Sequence, residues 1–116
     1  NEIVNVPEIA FPGDTNLAVL DRTVSGDIVR KARVLLLECT FVDDEVSPQD
    51  TFRTGHVHIE HFVDAARAGA FENEVILLTH FSARYHPEYI WETVTKRLRD
   101  EDIWPRVRLL LPESKR

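Results

Sequence analysis

The sequence predicts an α/β fold, in which short buried strands alternate with amphipathic helices. Four apolar runs, which begin near Ile9, Val34, Val75 and Val107, are separated by segments with helical spacing of apolar residues. The order of strand, polar turn, helix and strand is typical of α/β proteins. The length of 116 residues suffices for one small domain with a core, but not for two.

Each of the four apolar runs is predicted to be a strand. Residues 9–11 lead into a Pro-Gly-Asp-Thr turn at 12–15, and residues 107–111 end before a proline. Residues 34–37 and 75–78 are continuous apolar runs, which are typical of strands covered on both faces.

Two segments show convincing helical periodicity. Apolar residues recur at helical spacing from Ile59 to Ala70, and Gly69 lies where a helix commonly stops. A second helix is predicted from Pro87, a suitable first-turn residue, to Leu98.

The remaining segments carry weaker signals. A short helix is expected over residues 17–20, capped by Thr15 or Asn16, and another over residues 26–31. Residues 42–54, rich in acidic and turn residues, are predicted to form one long loop.

Composition indicates a globular protein of a reducing compartment. The chain is 43% apolar and 29% charged, with no apolar run near the roughly 20 residues that span a bilayer. It shows no signal-peptide pattern, so an intracellular location in cytoplasm, nucleus or organelle is expected. The single cysteine, Cys39, cannot form an internal disulfide and is predicted to be a buried structural thiol.

The net charge bears on whether the chain binds nucleic acid, and the first residue bears on whether the chain is a fragment. The formal charge of −6 argues mildly against nucleic-acid binding by this chain alone, although bound metal or another part of the protein can offset it. The sequence has no methionine and begins with Asn1, so we expect a processed chain or a fragment.

Polar residues follow three of the predicted strands. Asp14, Glu38 and His80 occupy these positions, and sites in layered α/β folds gather at such strand ends. Each residue also has an ordinary interpretation. Asp14 can be a turn or cap aspartate, and His80 can be a core histidine with a satisfied ring.

Three histidines, His56, His58 and His61, are close enough in sequence to suggest metal binding. The side chains of His56 and His58 are expected to diverge, and His58 and His61 are predicted to share a solvent-facing surface. His56 is therefore the preferred candidate, because Gly55 before it permits a sharply placed side chain.

Residues 79–85 form the segment richest in chemically useful side chains. His80 ends a buried strand and is followed by Ser82, Arg84 and Tyr85. This pattern offers one metal ligand and several donors suited to phosphate.

Four ordered pieces of the chain resemble the C-terminal half of ribonuclease Z, a tRNA 3′-processing enzyme of the metallo-β-lactamase superfamily. They are residues 13–15, 37–41, 55–56 and 80–85, and they extend over nearly the whole chain. The short eukaryotic form is the most similar. The resemblance implies that residues 1–116 are the C-terminal half of an αβ/βα sandwich, with helices on one face of a mixed sheet.

The resemblance also implies roles for individual residues. Asp14 corresponds to an aspartate that bridges two zinc ions, with manganese as a possible substitute, and His80 to a zinc ligand. His56 corresponds to a general acid for the leaving 3′-oxygen, and Glu38 to the glutamate that orients this histidine. The expected substrate-binding residues are Arg84, Tyr85, Ser82 and Thr40.

This sequence departs from the family pattern in three respects. Leu37 stands where the family often has histidine, and Val57-His58 replaces a frequent Ser-Thr pair. The His-x-His-x-Asp-His motif, which supplies most zinc ligands, is absent. Asp14 and His80 alone are too few to close a zinc site, so the chain is expected to be inactive by itself.

Two classes of function remain open at this point. In the first, the chain is half of an endoribonuclease that removes the 3′ trailer of precursor tRNA. It would be completed by the missing N-terminal half or a complementing chain, and homodimerisation is expected. In the second, it is a non-catalytic structural subunit or a metal-free remnant in a larger assembly. Another hydrolase of the superfamily, acting on small esters or sulfates, is disfavoured by residues 80–85.

Overall fold

The computed structural model describes residues 9–10 and 31–111. Within them, four strands and three α-helices follow one another, and a short 3₁₀ helix, Trp104–Arg106, precedes the last strand. The elements are β1 Ile9–Ala10, β2 Val34–Glu38, α1 Pro48–Arg53, α2 Ile59–Arg67, β3 Val75–Thr79, α3 Pro87–Leu98 and β4 Val107–Leu109. The strands and the two main helices predicted from the sequence are thereby confirmed. Asp14, the turn around it and the short helix over 17–20 lie outside the described residues.

The strands form one sheet in the order β1-β2-β3-β4, and all three pairings are parallel. This differs from the expected mixed sheet, because no antiparallel pair occurs in the part of the chain that the structure describes. A connection that includes a helix returns the chain to the end of the sheet at which the previous strand began. The next strand therefore runs parallel to it.

One face of the sheet carries the core. Alternate residues of β2 and β3 are buried and cluster with the apolar sides of α2 and α3; the largest of these side chains are Leu35, Leu37, Ile59, Phe62, Ile76, Leu78, Ile90 and Leu98. The side chains of α2 and α3 belong to the same core cluster, so both helices pack on this face. The alternate residues Val34, Leu36, Val75 and Leu77 are only partly buried, so coverage of both faces is incomplete.

The segment expected to be one long loop contains α1. Ser47 caps this helix by accepting a hydrogen bond from the Asp50 backbone N–H, and Pro48 occupies the first turn. Asp50 also places a negative charge near the helix N-terminus, where the dipole favours it. The prediction of loop was wrong here, because these capping signals outweigh the polar composition.

An ion pair joins α2 to α3. The Arg97 guanidinium donates to both carboxylate oxygens of Glu60, at 2.6 and 2.7 Å, and these hydrogen bonds lower the pKa of Glu60. Arg67, at the end of α2, makes a second bidentate pair with Glu101 beyond α3. The helix α2 ends at Arg67, and Gly69 adopts a φ of 75° two residues later. A glycine was expected to stop the helix here.

Cys39 is a buried structural thiol, as predicted. It is free and fully buried, and burial followed by the nearby charge of Glu38 raises the pKa of its thiol far above the ordinary value. No helix within residues 31–111 is long and apolar enough to cross a membrane.

Replacement of Phe62 tests the core assignment. Phe62 is fully buried and stacks against Phe71 at 5.1 Å between ring centroids. Phe62→Ala is expected to lower the free energy of unfolding by about 3 to 5 kcal/mol, because it leaves a cavity between helix and sheet. Urea denaturation measures the change. Phe52→Ala, at a ring that is 52% exposed, is the matched control, and an equal loss there would contradict the assignment.

The Glu60–Arg97 pair predicts a pH-dependent part of stability. Because the folded pKa of Glu60 lies below its ordinary 4.5, this contribution is present above about pH 4.5 and lost as pH falls through the lower folded pKa. Glu60→Gln should cost about 0.5 to 1 kcal/mol at neutral pH, since solvent screens a partly exposed pair. The cost should vanish in strong acid. Urea denaturation at neutral pH and in strong acid measures the cost of the substitution, with Glu92→Gln at an exposed residue as the control. A cost that does not change with pH would refute the prediction.

Candidate functional site

The candidate site lies beyond the carboxyl ends of β2 and β3. Glu38, the last residue of β2, is paired with Thr79, the last residue of β3. The Cys39 backbone N–H donates to the Thr79 carbonyl at 2.9 Å, so the two segments stay together past the strands. Glu38 and His80 are therefore neighbours, as the positions at the strand ends predicted, with 3.8 Å between Glu38 Oε2 and His80 Nδ1.

A second parallel pairing brings His56 to the same place. The Thr40 backbone N–H donates to the Val57 carbonyl at 2.9 Å, and Ile59 donates to Phe41 at 2.8 Å. Gly55, immediately before His56, has a φ of 81°, a conformation that side chains other than glycine rarely adopt. This turn aims the imidazole at the strand end, and His56 Nδ1 lies 2.8 Å from Glu38 Oε1.

The contact between His56 and Glu38 orients the imidazole. An ionised carboxylate only accepts hydrogen bonds, so His56 Nδ1 carries the proton and donates it to Glu38 Oε1. Nε2 then lies on the far side of the ring. The Glu38 side chain is 2% exposed and that of His56 is 42% exposed, so a buried carboxylate holds a solvent-accessible imidazole. Such an arrangement suits proton transfer at Nε2.

His80 is presented on a strained backbone. Its φ is 61°, in the left-handed region, and its side chain is 66% exposed. Backbone strain of this kind is found most often at functional sites. A cleft of about 280 Å³ adjoins the residue; its lining consists of Thr79, His80, Phe81, Leu110 and Leu111.

Arg84 stands on the other side of the site, against Phe41. The guanidinium carbon lies 5.4 Å from the centroid of the Phe41 ring, which itself meets the His56 ring edge-on at 6.4 Å. Ser82 turns the chain here: its backbone N–H donates to the Thr40 carbonyl, and its hydroxyl accepts from the Arg84 N–H. Arg84 and Ser82 thus offer donors within the same neighbourhood as His56.

The Tyr85 hydroxyl is engaged inside the protein. It donates to Asp43 Oδ1 at 2.9 Å and accepts from the Val42 N–H at 3.4 Å. Burial, and then the hydrogen bond to Asp43, raises the pKa of Tyr85 to about 12. The ring is buried, so Tyr85 holds the β2–α1 loop against the segment that follows His80.

Asp43 is a structural residue that the sequence analysis did not identify. Its carboxylate accepts from the hydroxyls of Tyr85 and Tyr89 and from the Glu45 N–H. Burial alone would raise the pKa of Asp43, but these hydrogen bonds outweigh it and lower the pKa. No local motif could have shown this, because Tyr85 and Tyr89 lie 42 and 46 residues away along the chain.

His58 is not on a solvent-facing surface, so that prediction was wrong. It is the N-cap of α2, fully buried, with Nδ1 accepting from the Glu60 N–H at 3.1 Å. Its Nε2 lies 2.6 Å from the Asp43 carbonyl oxygen. The helix begins after His58, so this side chain caps the first turn, and its ring lies 6.0 Å from that of His61 between centroids. Its ring nitrogens contact different groups from that of His56.

The described residues hold no cluster of three or more histidine, cysteine, aspartate or glutamate side chains that could bind a metal ion. Asp14, the other proposed metal ligand, lies outside them. His80 is therefore the one proposed ligand whose position the structure gives.

Comparisons with known proteins agree with the resemblance, although no family model matches the chain. It is 44% identical over 89 residues to tRNase Z TRZ1 and 41% identical over 90 residues to chloroplastic tRNase Z TRZ2, both from Arabidopsis thaliana. These alignments cover 77% and 78% of this chain, but only 31% and 25% of the relatives. Ribonuclease Z of Pyrobaculum aerophilum is 46% identical over 52 residues, which are 45% of this chain and 17% of that protein.

Substitutions at His80 test the strained backbone. His80→Gly should change the free energy of unfolding by less than about 1 kcal/mol, because glycine adopts positive φ without a Cβ clash. His80→Val should cost about 1 to 3 kcal/mol more, because a β-branched residue resists this conformation. Both variants lose the imidazole, so their difference in urea denaturation isolates the backbone. Equal stabilities would show that residue 80 is not held at positive φ.

Proposed function

Because this chain belongs to the ribonuclease Z family, we propose that it is the C-terminal part of an endoribonuclease that removes the 3′ trailer of precursor tRNA. The chain spans between a quarter and a third of the length of its plant relatives, at 25% and 31%. The remaining ligands and tRNA contacts would therefore come from elsewhere. The observation that carries the proposal is the 2.8 Å contact between His56 Nδ1 and Glu38 Oε1.

In the proposed reaction, His56 acts as the general acid. The protonated imidazole donates its Nε2 proton to the 3′-oxygen that leaves when the phosphodiester is cleaved. The Glu38 carboxylate accepts from Nδ1 throughout, so it keeps the ring oriented before and after the transfer. Burial of Glu38 strengthens this interaction, because little water screens its charge.

Zinc is the proposed metal, as two ions, with manganese as an alternative. An imidazole and a carboxylate are ordinary zinc ligands, and the exposed His80 side chain beyond β3 fits this role together with Asp14. When bound, the metal pair would supply an activated hydroxide and offset charge on the scissile phosphate. Two ligands do not close such a site, so we propose that a complementary half with the His-x-His-x-Asp-His motif provides the others.

Arg84 and Ser82 are the proposed contacts to substrate phosphates. Arg84 contacts Phe41, whose ring meets that of His56, and Ser82 donates to the Thr40 carbonyl. A guanidinium suits phosphate oxygens because of its planar, charged donors. Contact with the Phe41 ring holds Arg84 beside the site. Tyr85 supports this region from behind, because its hydroxyl is committed to Asp43. The net charge of −6 agrees with the proposal that most tRNA contacts belong to the other half. We also propose that the protein forms a homodimer.

The test compares His56→Asn with His86→Asn in the protein assembled with its complementary half. His56→Asn should lower kcat for cleavage of a 3′-extended tRNA precursor by about 10²- to 10⁴-fold, because asparagine cannot donate the proton. His86 is an exposed helix cap outside the site, and asparagine also caps helices, so that variant should keep the normal rate.

Two further results decide between the alternatives. Removal of metal by a chelator should abolish cleavage, and added zinc should restore it. An unchanged rate in His56→Asn would refute the assigned role. Stable association with unrelated subunits, without any cleavage, would favour a non-catalytic structural subunit instead.

A further inference from the structure

Thr40 contacts the carboxylate that orients His56. Its hydroxyl donates to Glu38 Oε1 at 2.5 Å, and His56 Nδ1 lies 2.8 Å from this same oxygen atom. The two donors therefore converge on one oxygen. The resemblance placed Thr40 among the substrate-binding residues, whereas in the structure its hydroxyl is already committed to Glu38.

The second oxygen of the carboxylate is in a different situation. Glu38 Oε2 is buried and has no hydrogen-bond partner within the part of the chain that the structure describes. It lies 3.8 Å from His80 Nδ1, which is too far for a hydrogen bond. The carboxylate thus presents one oxygen to each histidine.

The carboxylate can face both histidines at once only if it does not rotate about its terminal torsion. The terminal torsion of a glutamate side chain is broad, and one hydrogen bond from His56 would not fix the plane of the carboxylate relative to the two histidines. A second donor on Oε1 at a different angle determines it. Thr40 can serve as this donor only if its own position is rigid.

The Thr40 backbone is held from both sides. Its N–H donates to the Val57 carbonyl and its carbonyl accepts from the Ser82 N–H, each at 2.9 Å. Val57 directly follows His56, and Ser82 is two residues after His80. Thr40 therefore links the two segments that carry the histidines, and its hydroxyl position is tied to both.

We propose that Thr40 is a positioning residue, whose hydroxyl prevents rotation of the Glu38 carboxylate so that Oε1 holds His56 and Oε2 faces His80. This inference deepens the proposed function and depends on it for its catalytic consequence. Its structural consequence is that neutral His56 keeps the proton on Nδ1.

Three variants test the inference: Thr40→Val, Thr40→Ser and Thr95→Val. Thr40→Val removes the donor with almost no change of shape, and Thr40→Ser keeps it. Thr95 is the matched control on α3, because its buried hydroxyl makes no hydrogen bond in the described part of the chain. Circular dichroism and urea denaturation establish that each variant is folded.

The first measurement is the tautomer of His56, read from its ring ¹⁵N chemical shifts at about pH 8.5, where an ordinary histidine is neutral. The native chain, Thr40→Ser and Thr95→Val should show a single Nδ1–H form. Thr40→Val should show loss of that form to a mixture of tautomers. A single Nδ1–H form in Thr40→Val, or a mixture in Thr40→Ser, would overturn the inference.

The second measurement is cleavage of the 3′-extended precursor by the assembled protein. Thr40→Val should lower kcat about tenfold, as changes behind a reacting histidine commonly do, while KM stays unchanged and serine restores the rate. A rise in KM with normal kcat would instead identify Thr40 as a substrate contact and overturn the inference. Absence of cleavage in every form, together with the tautomer change, would refute the proposed function and leave the positioning role intact.

Discussion

A carboxylate removed from water must find hydrogen-bond donors, and Glu38 finds one of them in a segment that is distant along the chain. Its partner His56 is 18 residues away, and Thr40 provides the second donor from the residue after next. The cost of burying an unpaired charge is several kilocalories per mole, so the protein gains stability only when these segments are in place. The geometry of the candidate site and the stability of this end of the sheet therefore depend on the same contacts.

A second carboxylate, that of Asp43, also accepts hydrogen bonds from residues that are distant along the chain. Asp43 gathers the hydroxyls of Tyr85 and Tyr89, and its backbone carbonyl lies against the buried ring of His58. The loop after β2 is thereby held to the N-terminus of α2 and to the start of α3. Because polar networks of this kind are costly when incomplete, they favour one arrangement of the loops over the alternatives.

Several features of the fold could be predicted from the sequence, because they depend on local patterns. The apolar periods located the strands and the two main helices, and the polar residues at strand ends located Glu38 and His80. The position of His56 was also predictable from Gly55. The parallel direction of every described strand was not predicted, since the expectation of a mixed sheet came from resemblance and not from the helical connections.

Other features could not be predicted, because they depend on contacts between distant segments. The role of Asp43 depends on Tyr85 and Tyr89, 42 and 46 residues away, and the buried ring of His58 contacts Asp43 across 15 residues. The committed hydroxyl of Thr40 likewise depends on the angle at which the histidine segment meets β2. The short helix α1 is a different case, since its capping signals were present and the acidic composition of the segment obscured them.

The parallel arrangement of β2 and β3 has a consequence for how the protein acquires its site. Parallel pairing joins residues that are far apart in sequence, and such contacts form late because a long loop must close first. Until β3 docks beside β2, Glu38 and His80 are not neighbours. The appearance of the contact between Glu38 and His80 should therefore report that β2 and β3 have paired.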